Sequence, residues 1–182
     1  RRYGGAGNGW DQPNGLCVDD SGDVYVAGFV FNQRTGHDYV LLKYSSDGEE
    51  LWVREYHYSG DDWGAGVVLD KRGNVYITGQ AGDGSRCVTI KYDKFGNMTW
   101  LREEPGQGVD IGIDESANIY VGGCSTGGRF TLIKYDSLGN LLWRNTYDNP
   151  PGYVSYCLKI KVTPNGYCYA TGETFLWPYY WT

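Results

Sequence analysis

Apolar and polar residues follow one pattern that recurs four times along the chain. Each copy begins with an apolar residue, continues through a short polar turn, and ends in an apolar stretch closed by glycine. This order predicts two strands joined by a tight turn, because turn residues separate segments rich in β-branched and aromatic side chains. The four copies align without a gap at residues 18–28, 69–79, 113–123 and 162–172.

A second pattern follows each of the first three hairpins. It contains an apolar run with a Lys-Tyr pair, then a glycine turn, and ends on a tryptophan nine residues after the lysine. Such turns supply the positive φ that tight hairpins need. Each complete repeat is therefore predicted to contain four strands in series, A to D. The second units span residues 39–52, 87–100 and 129–143.

The spacing of the closing glycines predicts the architecture. Gly28, Gly79, Gly123 and Gly172 lie 51, 44 and 49 residues apart. A period of about 40–50 residues with four strands per unit is typical of propeller blades, whose radial stacking buries both faces of each sheet. We therefore predict an all-β fold, a β-propeller of about four blades, each a four-stranded antiparallel sheet.

The motifs VYVAG and VYITG, together with LLKYSSDGEELW, resemble the SBBP ("seven-bladed β-propeller") repeat of bacteria and archaea. The resemblance covers nearly the whole chain, because the spacing of Gly, Lys-Tyr, Gly-Asn and Trp recurs internally. It implies a propeller fold in a secreted or cell-surface protein. It implies no common catalytic residue.

The repeats predict a single domain over residues 1–182 with an incomplete last blade. The blades fall at about 4–56, 57–104, 105–147, and 148–182 together with 1–3. The first three residues match the end of a D strand, so we expect them to pair with the last strand. That pairing would close a ring within one molecule or join two molecules, and a larger ring is the third arrangement. The residues involved are Arg1, Arg2, Tyr3, Tyr179, Tyr180 and Trp181.

Composition narrows the functional classes. The formal net charge is −6 and the cations are scattered singly, which disfavours binding to nucleic acid or to anionic lipid. No apolar run reaches the length of about 18–20 residues that a transmembrane helix needs. Five cysteines without a CxxC pair lack the spacing of a zinc site, and neither a metal nor a cofactor is expected.

Aromatic and acidic residues occupy the D-to-A and B-to-C loops, which share the face of a propeller where ligands usually bind. Aromatic rings beside carboxylates could stack on sugar faces and bond the sugar hydroxyl groups. Alternatively, the aspartates cap turns and the tryptophans fill the junctions between blades. The candidates are Trp10, Asp11, His37, Asp61, Asp62, Trp63 and Trp177.

We expect a non-enzymatic extracellular module with a structural or interaction role, whose partner is itself or another extracellular protein. A glycan-binding module is the first alternative, and a lyase-type propeller enzyme is the second. An acid–base site would use one of the two histidines, His37 or His57, but no serine or cysteine nucleophile has a distinctive setting. Asn97 begins the one N-glycosylation sequon and lies on a predicted turn, which makes it a candidate for modification.

The alignment of the repeats also predicts burial. One position of strand B should be buried between blades in every repeat, whereas the glycine turns before it should be exposed. The strand position is occupied by Val24, Val75, Ile119 and Cys168, and the turns contain Gly22, Gly73 and Gly166.

Overall fold

The computed structural model describes residue 4 and residues 9–176, which form strands and turns. Fourteen strands make four antiparallel sheets in this part of the chain, which confirms the all-β prediction. No helix among these residues is long and apolar enough to cross a membrane. The first sheet contains β1 (Gln12–Val18), β2 (Val24–Asn32), β3 (Gly36–Tyr44) and β4 (Glu50–Tyr56).

The other sheets repeat this order, with each strand hydrogen-bonded to its neighbour in sequence. We refer to the four sheets as blades 1 to 4. The second sheet contains β5 (Trp63–Leu69), β6 (Val75–Ala81), β7 (Arg86–Tyr92) and β8 (Met98–Pro105). The third contains β9 (Gln107–Ile113), β10 (Ile119–Ser125), β11 (Arg129–Tyr135) and β12 (Leu141–Thr146). Among the described residues, the fourth has two strands, β13 (Tyr153–Val162) and β14 (Cys168–Leu176).

The closing glycine of each repeat lies opposite a bulge in strand A. In blade 2 the bulge falls between Gly64 and Gly66, where the chain faces Gly79. A Cβ on Gly79 would lie 2.1 Å from the carbonyl oxygen of Trp63, which no side chain tolerates. The equivalent glycines have the same contact at 1.8–2.1 Å, so close backbone approach explains this feature of the repeat: Gly28, Gly123 and Gly172.

The tyrosine of strand B, the lysine of strand C and the tryptophan of strand D form one packing unit. In blade 2 the Nζ atom of Lys91 lies 5.1 Å from the ring centre of Tyr76, and the Trp100 ring lies 5.9 Å from it. Tyr76 donates a 3.0 Å hydrogen bond to Oδ2 of Asp70 in the turn between strands A and B. The repeated lysine therefore serves packing. Blades 1 and 3 have the same arrangement with Tyr25, Lys43, Trp52 and Asp19, and with Tyr120, Lys134, Trp143 and Asp114.

The blades stack in chain order through their first strands, with β1 on β5, β5 on β9 and β9 on β13. Apolar clusters fill the spaces between the blades. Tyr25 and Val75 meet between blades 1 and 2, and Tyr76 and Ile119 meet between blades 2 and 3. The core is thus a series of interfaces between sheets.

Within the described residues the sheets form an open series. Strand β14 pairs with β13, strand β1 pairs with β2, and no sheet formed by residues 9–176 joins the two ends. The number of blades and the closure of a ring therefore remain predictions. The residues predicted to close it lie outside the described residues: Arg1, Arg2, Tyr3, Tyr179, Tyr180 and Trp181.

The burial prediction is correct in the middle of the series and wrong at its ends. Val75 and Ile119 are buried between blades, whereas Val24 and Cys168 are only partly buried. Val24 faces away from blade 2, and no preceding blade covers it among the described residues. Cys168 packs toward Tyr120 of blade 3, but its strand β14 pairs only with β13 among the described residues. The expected exposure of the turns is also wrong, because Gly22, Gly73 and Gly166 are half-buried against neighbouring loops.

Candidate functional site

The D-to-A and B-to-C loops of blades 1 and 2 meet at one end of the molecule, as predicted. His37 stands at the start of β3, while Asp61 and Asp62 precede β5. The backbone N–H of Asp62 donates to the carbonyl oxygen of His37 at 2.7 Å. The Nδ1 atom of His37 lies 2.9 Å from Oδ1 of Asp61. The backbone N–H of His37 also donates to that oxygen, and this bond holds the pKa of Asp61 below its ordinary value.

An aromatic cluster surrounds Phe29 beside these loops. Trp10 contacts the Phe29 ring edge-on, with centroids 5.4 Å apart, and Trp63 stacks on it at 5.6 Å. The ring of His37 lies 5.0 Å from the same phenylalanine. Phe29 is buried, whereas both tryptophans remain exposed to solvent. The structure therefore brings together the predicted aromatic residues around one that the sequence analysis missed.

Asp11 and Asp62 have equivalent structural roles. Oδ1 of Asp11 accepts a 2.8 Å hydrogen bond from the backbone N–H of Phe31, and Oδ1 of Asp62 accepts one of 2.9 Å from Gly82. Each carboxylate thus caps the end of strand B in its own blade. The turn-capping alternative therefore accounts for these two aspartates.

A second cluster, which was not predicted, forms around His57 and includes Asp62. Nδ1 of His57, which follows β4, lies 3.0 Å from Oδ1 of Asp38 and 3.2 Å from Oδ2 of Asp62. Asp38 and Asp62 are buried, whereas His57 is exposed. Burial raises the pKa of Asp62 despite its two backbone hydrogen bonds. Asp38 comes from β3, whereas His57 and Asp62 lie five residues apart in the loop between β4 and β5, and no short motif in the sequence links Asp38 to that loop.

The two remaining candidates of the sequence analysis have different outcomes. Asn97 lies exposed on the turn between β7 and β8, where its side-chain nitrogen donates a 2.9 Å hydrogen bond to Oδ2 of Asp93. Asn140 makes the same bond to Asp136 in blade 3, so the turn itself explains an asparagine here. Glycosylation of Asn97 stays a prediction. Trp177 lies outside the described residues.

The outer side of blade 1 presents an apolar face, here called the leading face. It carries a groove of about 380 Å³ lined by residues including Leu16, Val26 and Leu42. Leu16 is 65% exposed, whereas its equivalents Val67 and Ile111 are 6% exposed because a preceding blade covers them. The leading face has the residue types of a blade interface, and no blade formed by residues 9–176 packs against it.

The opposite end of the series also presents apolar residues, here called the trailing face, on blade 4. Tyr169 is 64% exposed, while Tyr76 and Tyr120, at the same position of blades 2 and 3, are 0% and 1% exposed. Tyr167 beside it is exposed as well. The two ends therefore expose the two complementary halves of an interface that is formed three times within the chain.

Residues 51–83 match the family model SBBP, a Beta-propeller repeat, which confirms the resemblance seen in the motifs. A protein of unknown function from Bacteroides caccae superposes with a TM-score of 0.58 at 14% identity, covering 88% of this chain and 56% of its own. Hydrazine synthase from Kuenenia stuttgartiensis gives a TM-score of 0.64 at 12% identity, covering 85% and 42%.

The chain thus spans about half the length of these two structures. At such low identity the likeness concerns the fold alone. No curated protein sequence gives a significant match.

Proposed function

We propose that the chain is a non-enzymatic interaction module that assembles through its leading and trailing faces. The observation that supports this is the exposure of Leu16 at one end and Tyr169 at the other, at positions that are buried in the middle of the series. Exposed apolar faces of this kind are typical of interaction sites. Within the chain, the side of blade 2 that corresponds to the leading face packs against the side of blade 1 that corresponds to the trailing face. A trailing face is therefore the surface that fits the groove on blade 1.

Three occupants satisfy this complementarity: blade 4 of the same molecule, blade 4 of a second copy, or a further blade. We favour the second copy, because no sheet formed by residues 9–176 joins the two ends within one molecule, and the ends of two molecules can pair by the contacts that already join adjacent blades. Terminal residues would contribute additional strand pairing, with each backbone hydrogen bond worth about 0.5–1.5 kcal/mol.

Measurements of molecular mass over a range of concentrations test this proposal. The Leu16→Asp variant places a charge in the groove and should shift association to at least tenfold higher concentration. Leu138→Asp is the matched control, since Leu138 is 71% exposed on the turn between β11 and β12 of blade 3 and belongs to neither face. A monomeric wild type that Leu16→Asp strongly destabilises would instead indicate closure within one molecule. A monomer unaffected by Leu16→Asp would contradict the proposed role of the face.

The absence of enzymatic activity is part of the proposal. Burial raises the pKa of Cys87 to about 11 and that of Cys157 to about 12, so both thiols are protonated at neutral pH. An extracellular or cell-surface location is proposed from the resemblance to the SBBP repeat. Fractionation of the source cells, with detection of the protein in the medium or on the surface, tests that location.

Glycan binding is a second candidate, supported by the exposed Trp10 and Trp63 beside the carboxylate of Asp61. Tryptophan faces next to a hydrogen-bonding oxygen suit the apolar and polar sides of a sugar. Binding on a glycan array should be lost in Trp10→Ala and Trp63→Ala and kept in Phe95→Ala, a control with an exposed ring on a distant turn. Equal losses in all three variants, or no binding by the wild type, would exclude this candidate.

A further inference from the structure

We propose that Asp38, His57 and Asp62 bind a divalent transition-metal ion that links blades 1 and 2. Asp38 lies in β3 of blade 1, whereas His57 and Asp62 lie at the two ends of the loop between β4 and β5 that joins blades 1 and 2. One ligand atom from each lies within 4.8 Å of the other two. An ion at their centre would join β3 to both ends of the loop between β4 and β5.

The distances fit a metal centre. The Nδ1 atom of His57 lies 3.0 Å from Oδ1 of Asp38 and 3.2 Å from Oδ2 of Asp62. Ligands held at roughly 2.0–2.2 Å from one ion lie about 2.8–3.1 Å apart at octahedral angles and about 3.3–3.6 Å apart at tetrahedral angles. The two distances from Nδ1 fall within this span, and the two carboxylate oxygens lie within 4.8 Å of each other. Binding therefore requires little movement of His57 relative to either carboxylate.

Asp38 provides an independent reason to expect a cation. Asp38 is 3% exposed, and its Oδ1 atom has no hydrogen-bond partner among the described residues. The imidazole of His57 approaches that oxygen to 3.0 Å without the alignment of a hydrogen bond. A buried carboxylate oxygen without a hydrogen bond is costly, and coordination to a metal ion would satisfy it.

The outer contacts hold both carboxylates in place. Thr35 donates its hydroxyl hydrogen to Oδ2 of Asp38 at 2.7 Å. The backbone N–H of Tyr58 donates to Oδ2 of Asp62 at 2.6 Å, and that of Gly82 donates to Oδ1 at 2.9 Å. Such second contacts orient the ligands of protein metal sites. The exposed side of His57 provides a path from solvent.

The ligand types indicate the class of ion. An imidazole nitrogen suits zinc, copper, iron and nickel, while carboxylates suit magnesium, calcium and manganese. A set with one nitrogen and two carboxylate oxygens therefore favours a first-row transition ion over calcium or magnesium. Manganese(II) is the best first probe, because it has little affinity for the thiolates of the five free cysteines.

A titration with Mn²⁺ alone, monitored through the electron paramagnetic resonance signal of the free ion, tests the site. The wild type should bind one ion per chain, and His57→Gln and Asp38→Asn should each weaken binding at least tenfold. His37→Gln is the matched control, since its Nδ1 atom lies beside Asp61 and outside this cluster. Circular dichroism of each metal-free variant establishes that it is folded.

A second measurement follows thermal unfolding with Zn²⁺ added. The melting temperature should rise in the wild type and in His37→Gln but not in His57→Gln, because an ion bound to the native state stabilises it by mass action. Binding of Mn²⁺ by His57→Gln with wild-type affinity would overturn the proposal. So would a wild type that binds no ion at about millimolar concentration, which would leave His57 as a partner of the two carboxylates without a metal.

Discussion

The interfaces between blades and the two ends of the series are built from the same residue types but differ in exposure. Tyr76 in blade 2 is fully buried, whereas Tyr169 at the same position of blade 4 is 64% exposed. The repeat therefore specifies the shape and chemistry of a face, and the neighbouring blade supplies its burial. Most of the stability of such a series should come from contacts between adjacent repeats.

A substitution in the turn accompanies this difference. Tyr25, Tyr76 and Tyr120 each donate a hydrogen bond of 3.0–3.1 Å to the aspartate that begins the turn of their own blade. Blade 4 has Thr163 at that position, and its Oγ1 accepts from the backbone N–H of Tyr167. The last repeat thus lacks the carboxylate partner of the tyrosine, and no blade formed by residues 9–176 covers that tyrosine.

The largest expected effect compares the two tyrosines directly. Tyr76→Ala should lower the free energy of unfolding by about 3–5 kcal/mol, because it removes a buried ring and leaves a cavity. Tyr169→Ala should lower it by less than about 0.5 kcal/mol, as is usual for surface positions. Denaturant unfolding of both variants at low protein concentration measures the difference. Similar losses would show that Tyr169 is covered in solution, and its dependence on protein concentration would then identify a second copy.

A smaller effect is expected at the position before each tyrosine. Val75→Ala should cost about 1–3 kcal/mol, since the side chain is fully buried between blades 1 and 2. Val24→Ala should cost clearly less, because the same position in blade 1 is only half-buried. Thermal unfolding of the two variants checks the ranking. A reversed order would mean that the leading face is covered more fully than the inner interface.

The fold was predictable because its signals are local and recur. The closing glycine, the Lys-Tyr pair and the tryptophan all report contacts inside one blade or between adjacent blades, so their spacing predicted four-stranded blades correctly. Exposure at the ends was not predictable in this way. Val24 and Val75 both follow a glycine turn and precede a tyrosine, and only the arrangement of whole blades explains their different exposure.

The candidate site was predictable only in part, for a related reason. Loop position placed His37, Asp61 and Trp63 together correctly, because propeller topology determines which loops share a face. Phe29 could have been found as an aromatic residue directly after a closing glycine, where other repeats have Gln80 and Cys124. The grouping of Asp38 with His57 depends on side-chain directions across two strands, which spacing alone does not reveal.

Low pH should reduce the difference in stability between the aspartate turns of the inner blades and the Thr163 turn of blade 4. Burial opposes ionisation of Asp70, but hydrogen bonds from Asn74, Arg72 and Tyr76 outweigh it and hold its pKa below the ordinary value of 3.8. A folded pKa below the unfolded one stabilises the native state above pH 3.8, and this stability is lost as the pH falls through the folded pKa.

Asp70→Asn tests this sign. The variant should cost about 1–2 kcal/mol at pH 6 and progressively less below pH 3.8. Thr163→Ala is the matched control in blade 4, and its effect should not vary over that range because threonine does not titrate. Unfolding free energies measured from pH 6 to pH 2.5 give both trends. A constant difference for Asp70→Asn would show that its charge does not stabilise the turn.

The smallest expected effect concerns backbone strain in an inner turn. Ala117 has φ +60°, whereas glycine occupies the same position in blade 2, at Gly73 with φ +80°. Left-handed backbone costs an alanine about 1–2 kcal/mol, while glycine gives up part of that advantage through its greater freedom in the unfolded chain. Ala117→Gly should therefore stabilise the protein by about 0.5 kcal/mol, and Gly73→Ala should destabilise it by about 1 kcal/mol.

Thermal unfolding of these reciprocal variants shows whether packing or the backbone conformation of the turn determines the stability of the inner blades. A Cβ on Gly73 would lie 3.4 Å from the Cβ of Lys94, which is ordinary contact, so steric conflict with a neighbour does not explain a loss there. Opposite signs for the two variants would establish that the turn carries strain which the interfaces of blade 3 overcome. Stabilisation by Gly73→Ala would contradict this account, because it would mean that the left-handed turn places no demand on the residue it contains.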